Sequence, residues 1–228
     1  MINTNKNETL VNDDKTKNMK VYGSGMKENV LIKYNPLKFI TEKKEVLEIP
    51  NIPNTFNFWH GGNLDDYKDI IVQKRSRYEY GAGLYLTTHY NTAVKYSKGS
   101  RKLYLVTVKK GKEIHNTFIS ISEANDFINM YVLDKKKKDI ILRLQKWEKD
   151  GKINASLFNN LILNEEAIKS TNTIYLRNFL LKQGIDYEIV HNPFGWGEEM
   201  MVLYNMKLIV KITKVTSKME ISNYDLKK

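Results

Sequence analysis

The spacing of apolar positions changes twice along this chain. At 56–60 the run FNFWH is aromatic and strand-like, and Gly61-Gly62 end it. Residues 63–74 read as a helix or loop, and YEYGAGLYLTT at 78–88 as a glycine-interrupted loop entering a short strand. A short helix over Asn91–Ser97 follows, with Asn91 as its N-cap. LYLVTV at 103–108 alternates apolar and polar positions and predicts a strand, turning at Lys109-Lys110-Gly111-Lys112.

From about 120 to 183 the period becomes helical. ISEANDFINMYVL, DIILRLQKWEKD and TIYLRNFLLKQG each place apolar residues at i, i+3 and i+4. Gly151 and Gly184 sit where helix C-terminal glycines are expected, and the run Lys135–Lys138 falls between two of these helices. Strand patterns then return at 186–190, 200–204 and 208–213. Strands, a helical block and strands again predict an α+β fold in which the helices are inserted into one β core. The expected organisation is a partly mobile N-terminal extension over 1–45, a domain over 46–218 with its helical insertion at about 120–183, and a C-terminal tail over 219–228.

Composition narrows the chemistry. The 228 residues contain no cysteine, which excludes disulfides, thiolate metal sites and a cysteine nucleophile. Four histidines (His60, His89, His115 and His191) with no HExxH pair argue against a metal site. No apolar run nears the ~18 residues needed to span a bilayer, and the polar N-terminus lacks a signal core, so the cytoplasm is the expected location. The net charge of +11 attracts polyanions, which makes nucleic acid, or an acidic protein surface, an expected partner. No GxGxxG leads into a helix, and there is no phosphate-binding P-loop.

Three segments concentrate functional residue types. Trp59-His60-Gly61 ends a strand, so His60 can turn a ring nitrogen into a cleft and Gly61 can let a ligand approach the backbone. Taken alone, a histidine there is more often structural. Gly81-Ala82-Gly83-Leu84-Tyr85-Leu86 is followed by Ala93 and Tyr96, and the two tyrosines could hold a flat heterocycle or serve only the core. In Gly197-Glu198-Glu199-Met200-Met201-Val202-Leu203 two acids open an apolar strand. Strand alternation sends Glu198 and Glu199 to opposite faces, so only one can serve a given site. On the preceding loop, Phe194 and Trp196 form a contact surface or plug the core.

Taken together, FWHGG (58–62), GAGLYL (81–86), Tyr96 and EMMVLY (199–204) resemble, in that order, the His-Tyr-Glu group of ADP-ribosyltransferases, which includes diphtheria toxin and the poly(ADP-ribose) polymerases. The resemblance covers about 56–114 and 184–213 and leaves 120–183 unexplained. It implies a split β-sandwich core and NAD as substrate, with no metal. It also implies roles: His60 on the adenosine-side ribose, the Gly61 backbone on the nicotinamide amide, Tyr85 and Tyr96 on the nicotinamide ring. Glu199 would steady the positive charge growing at the nicotinamide ribose, with Glu198 as the alternative. Spacing to Val202 and Leu208 favours Glu199. One departure is Ala93, where many polymerase-type members carry a serine that contacts the amide.

Members of the Arg-Ser-Glu group that modify arginine usually carry Glu or Gln two places before the catalytic Glu. Here that place is Gly197, or Trp196 if Glu198 serves, which disfavours arginine as target. Phe194 and Trp196 are candidate target contacts, and with the Lys135–Lys138 run they favour nucleic acid slightly over protein. The expected function is that of a mono-ADP-ribosyltransferase toxin or effector, bacterial or phage-encoded, with an inhibitory or antitoxin protein as a further partner. The alternatives are protein modification and an inactive NAD- or nucleic-acid-binding module.

Overall fold

The computed structural model describes residues 18–20, 31–33, 45–65, 79–99, 101–195 and 197–226. The chain divides into two units, Met1–Lys43 and Lys44–Lys228. In the first, β1 (Asn18–Lys20) pairs antiparallel with β2 (Leu31–Lys33). The rest of the expected 1–45 extension, and most of the expected helix or loop at 63–74, lie outside the described residues.

The second unit begins with β3 (Glu45–Leu47), β4 (Thr55–Gly61), β5 (Leu84–Thr87), α1 (Tyr90–Tyr96) and β6 (Leu103–Lys109). A helical block follows: β7 (Phe118–Ser120), α2 (Ile121–Tyr131), α3 (Asp134–Trp147), β8 (Lys152–Asn154), α4 (Ala155–Asn164) and α5 (Thr173–Lys182). The chain closes with β9 (Tyr187–His191), β10 (Glu199–Leu203), β11 (Ile209–Val215) and β12 (Met219–Ile221). Six strands form one sheet in the order β11-β6-β4-β5-β10-β9, every neighbour antiparallel. The fold is therefore α+β, with a helical block between two parts of one sheet.

Alternation along the strands gives the sheet two apolar faces. Phe58, Leu84, Leu86, Tyr104, Val106, Val108, Met201 and Leu203 fill one. On the other, Trp59 and Leu105 pack under Ala93 of α1, while Met200, Val202 and Tyr204 pack under the helical block. Glu188 is buried on β9 beneath that block, where Asn159 Nδ2 (3.1 Å) and the Tyr204 hydroxyl (2.9 Å) donate to it. Burial raises its pKa above the ordinary carboxylate value.

Four expectations change. The Lys135–Lys138 run is not a connection but the first turn of α3. Asp134 stands at the positive end of the helix dipole, Lys137 pairs with it at 2.8 Å, and Lys136 reaches Glu165 at 3.6 Å. Helix α4 is additional to the three periodic stretches; the Asn154 side chain caps it by accepting from the amides of Ser156 and Leu157. Gly184 does follow a helix with φ 74°, but Gly151 (φ 72°) sits in the Lys149–Lys152 turn beyond α3. In α1 the cap is His89, and Asn91 lies inside the helix.

Of the expected C-terminal tail, the described residues 219–226 pack onto the fold. Strand β12 pairs in parallel with β3, and Leu226 is buried against Trp59 and Leu105. The Tyr224 carbonyl accepts from the Trp59 indole (2.9 Å) and from the Tyr90 amide (3.1 Å). The Leu226 amide reaches the Thr88 carbonyl at 2.9 Å. Two buried polar groups near the first sequence motif thus find their partners in the last residues described.

Candidate functional site

A cavity of about 370 Å³ lies between α1, the strands β4, β5 and β10 and the loop residues Glu79, Tyr80 and Phe194. Its lining includes His60, Gly61, Tyr85, Thr87, Thr92, Tyr96 and Phe194. Strands β4, β5 and β10 and helix α1 therefore bring together His60, Gly61, Tyr85, Tyr96 and Phe194, all expected from sequence. Trp196 lies outside the described residues.

Strand β4 meets β5 at Trp59 opposite Thr87. One residue on, the His60 side chain takes the Tyr85 carbonyl at 2.8 Å through Nδ1. A carbonyl only accepts, so Nδ1 carries the proton and a neutral ring leaves Nε2 as an acceptor. Among the described residues Nε2 has no hydrogen-bond partner. Burial lowers the His60 pKa below the ordinary 6.5, and the Tyr85 carbonyl opposes this only in part. The folded chain thus binds fewer protons here than the unfolded one, so this residue's contribution to stability falls as pH drops from 6.5 toward the lowered value. The His60 ring is expected to titrate below 6.5 in an NMR pH series; a midpoint at or above that value contradicts the buried, neutral ring.

Gly61 has a different reason to lack a side chain from the one the sequence suggests. A Cβ there would lie 1.8 Å from the Ala93 carbonyl oxygen of α1. The glycine lets helix and strand touch, and that contact forms one wall of the cavity. Tyr85 is fixed at its far end, where its hydroxyl donates to the Gly81 carbonyl at 2.8 Å. Tyr96 is 64% exposed and Phe194 50%, with ring centroids 6.4 Å apart at 43°. They flank the same opening without stacking face to face.

The two acids separate as strand alternation requires. Glu199 stands opposite His191 on β9 and pairs with its Nδ1 at 3.1 Å, on the face of Met201 and Leu203. Glu198 shares its side of the strand with Met200 and is only 3% exposed. Its carboxylate accepts from the Thr87 hydroxyl and, at 3.1 Å, from the Thr92 hydroxyl. Between the two, the geometry puts Glu198 and not Glu199 on the side of β10 that faces the cavity: Glu198 lies behind Thr87 and Thr92, which line it with His60 and Tyr85, while Glu79 is the acid in the lining itself. A register argument from Val202 and Leu208 could not see the loop that ends one residue before β10.

Thr87 and Thr92 escaped sequence reasoning. A threonine at a strand end and another in a helix carry no signal until the fold brings them onto one carboxylate. Ala93 is buried with its carbonyl under Gly61, so it offers no side-chain hydrogen bond to a ligand. Glu198 is thus buried with two neutral hydroxyl donors, and among the described residues it makes no ion pair. Such a carboxylate favours any positive charge that develops next to it.

Among the described residues no three His, Cys, Asp or Glu side chains group to hold a metal ion. None of the described helices is long and apolar enough to cross a membrane.

No protein-family model matches the chain, and no curated protein matches it. A solved structure titled "Crystal structure of an anti-CRISPR protein" aligns with a TM-score of 0.34 and 11% identity, over 72% of this chain and 97% of that one. A likeness that loose carries no argument about fold or function.

Proposed function

We propose that this chain is an NAD-dependent mono-ADP-ribosyltransferase of the His-Tyr-Glu type, with an ADP-ribosyltransferase-like split β-sandwich core. The observation that carries the reading is Glu198, buried and held by Thr87 and Thr92 beside the cavity that His60, Gly61, Tyr85 and Tyr96 line. Four weak sequence signals, separated by as many as 138 positions (60 to 198), thereby meet at one place. The cavity falls in the size range of small-molecule sites and joins aromatic walls to a few convergent polar groups.

The residues fit NAD as substrate. His60 Nε2 accepts a ribose hydroxyl of the adenosine half, since Nδ1 is committed to Tyr85. Tyr85 and Tyr96 bound the space for the nicotinamide ring. Glu198 stabilises the cationic sugar that forms as the bond to nicotinamide breaks, with the electron pair leaving on the ring nitrogen. An acceptor atom of the target then adds to the sugar carbon and gives up its proton. The target reaches this carbon past Tyr96 and Phe194, two exposed rings suited to a flat base. With a net charge of +11, the reading favours a nucleic-acid target and a toxin or effector role.

The test incubates wild-type protein with labelled NAD and a cell lysate, then treats the macromolecular fraction with nuclease or protease. Label lost to nuclease is the expected result. Label lost to protease keeps the transferase and moves the target to protein. No incorporation and no nicotinamide release from folded protein overturn the reading.

A further inference from the structure

Helix α3 presents a positively charged face that the cavity does not use. Lys135, Lys138 and Lys146 are exposed at helical spacings of 3 and 8 residues, which place them on one side of the helix. The turn after the helix adds Lys149 and Lys152, both exposed, alongside the exposed acids Glu148 and Asp150. Among the described residues none of these five lysines makes an ion pair. By contrast Lys136, Lys137 and Arg143, on the flanks, are paired with Glu165, Asp134 and Asp139. Helix α3 is anchored from below by Ile140 and Leu144, both fully buried, so the lysines stand on a fixed support.

Apolar groups interrupt the charge. Trp147 is 42% exposed at the last residue of the helix, between Lys146 and Lys149 in the chain and about a quarter turn round from Lys146. On the β7–β8 ribbon, Phe118 and Lys152 are exposed on the side opposite buried Ile119 and Ile153. Fixed lysines alone would suit any polyanion. Lysines interleaved with exposed aromatic rings suit a polyanion that also offers flat, unpaired faces. From Lys135 to Lys146 the helix rises roughly 16 Å at 1.5 Å per residue. That length spans several phosphates of one strand.

We infer that the outer face of α3 and the following turn dock single-stranded nucleic acid, with the lysines on phosphates and Trp147 stacked on a base. This deepens the proposed function by giving its acceptor a holding surface outside the cavity. Binding is measured without NAD, so its failure leaves nicotinamide release untouched, and failure of nicotinamide release leaves binding untouched.

The experiment measures fluorescence anisotropy of labelled 20-nucleotide RNA and DNA strands with the full chain, from 50 to 300 mM salt. Unlabelled duplex and polyglutamate serve as competitors. Lys135→Gln/Lys138→Gln/Lys146→Gln is expected to bind at least about tenfold more weakly and to lower the magnitude of the log K against log salt slope by roughly 2, at about 0.7 per phosphate contact on a single strand. Trp147→Ala is expected to weaken binding about tenfold with an unchanged slope. Thermal melting of each variant identifies loss of fold, and Lys135→Gln alone, on the exposed helix surface, then gives the slope change free of it. Wild-type affinity and slope in the folded triple variant would overturn the inference. So would polyglutamate or duplex competing as well as a single strand.

Discussion

With the proposed activity, Glu198→Gln is expected to lower the rate of nicotinamide release from NAD by roughly 10²–10³-fold, the range seen when a group placed on developing charge is removed. Glu199→Gln is expected to leave it within about threefold, because its carboxylate pairs with His191 across β9–β10, on the other face of the strand. The contrast is large because the side chains are neighbours in sequence and opposed in space. Glutamine keeps the size of Glu198; its Oε1 can accept from one threonine hydroxyl and its Nε2 can donate to the other, so the variant should fold. What it removes is the negative charge. Chromatography of free nicotinamide, with a melting curve for each variant, measures the effect. A large loss in Glu199→Gln with a normal Glu198→Gln would sink the site as drawn.

The second large effect belongs to Gly61→Ala. The added carbon would lie 1.8 Å from a backbone oxygen of α1 and 2.8 Å from the Ser97 nitrogen, and neither can rotate away as a side chain could. Overpacking costs about 1–3 kcal/mol where side chains yield. A backbone clash belongs at the top of that range or above. Tm is expected to fall by about 10 °C, at 2–4 °C per kcal/mol for a domain of this size. Nicotinamide release should be lost even at temperatures where the variant is folded, because relief comes only by moving α1, which carries Thr92 and Tyr96. Gly99→Ala, where an added Cβ meets nothing within 4 Å, is the control and should melt like wild type. Equal melting of the two variants would show that α1 does not press on Gly61.

The sequence carried the strands well because alternation writes burial directly into residue type. LYLVTV became the interior strand β6, paired with β11 on one edge and β4 on the other. Helix α4 was harder to see. ASLFNNLILN is buried on more than one side, so its apolar positions do not form a clean stripe. The lysine run misled for the opposite reason: four like charges look like a solvated connection, yet Asp134 and Glu165 turn two of them into struts. In the site, His60, Tyr85 and Tyr96 were legible because each sits in a short pattern with glycine or a fixed spacing. Glu198 was not separable from Glu199 without knowing which side of β10 faces Tyr85. The threonines holding Glu198 were invisible, since a contact across 111 or 106 positions leaves no mark in local sequence.

The bonds from Tyr224 to Trp59 and Tyr90 tie the strand that carries His60 to a segment 165 positions further along the chain. A proteolytic cut just before residue 224 would therefore strip the Trp59 indole and the Tyr90 amide of their acceptor without severing any strand of the six-stranded sheet.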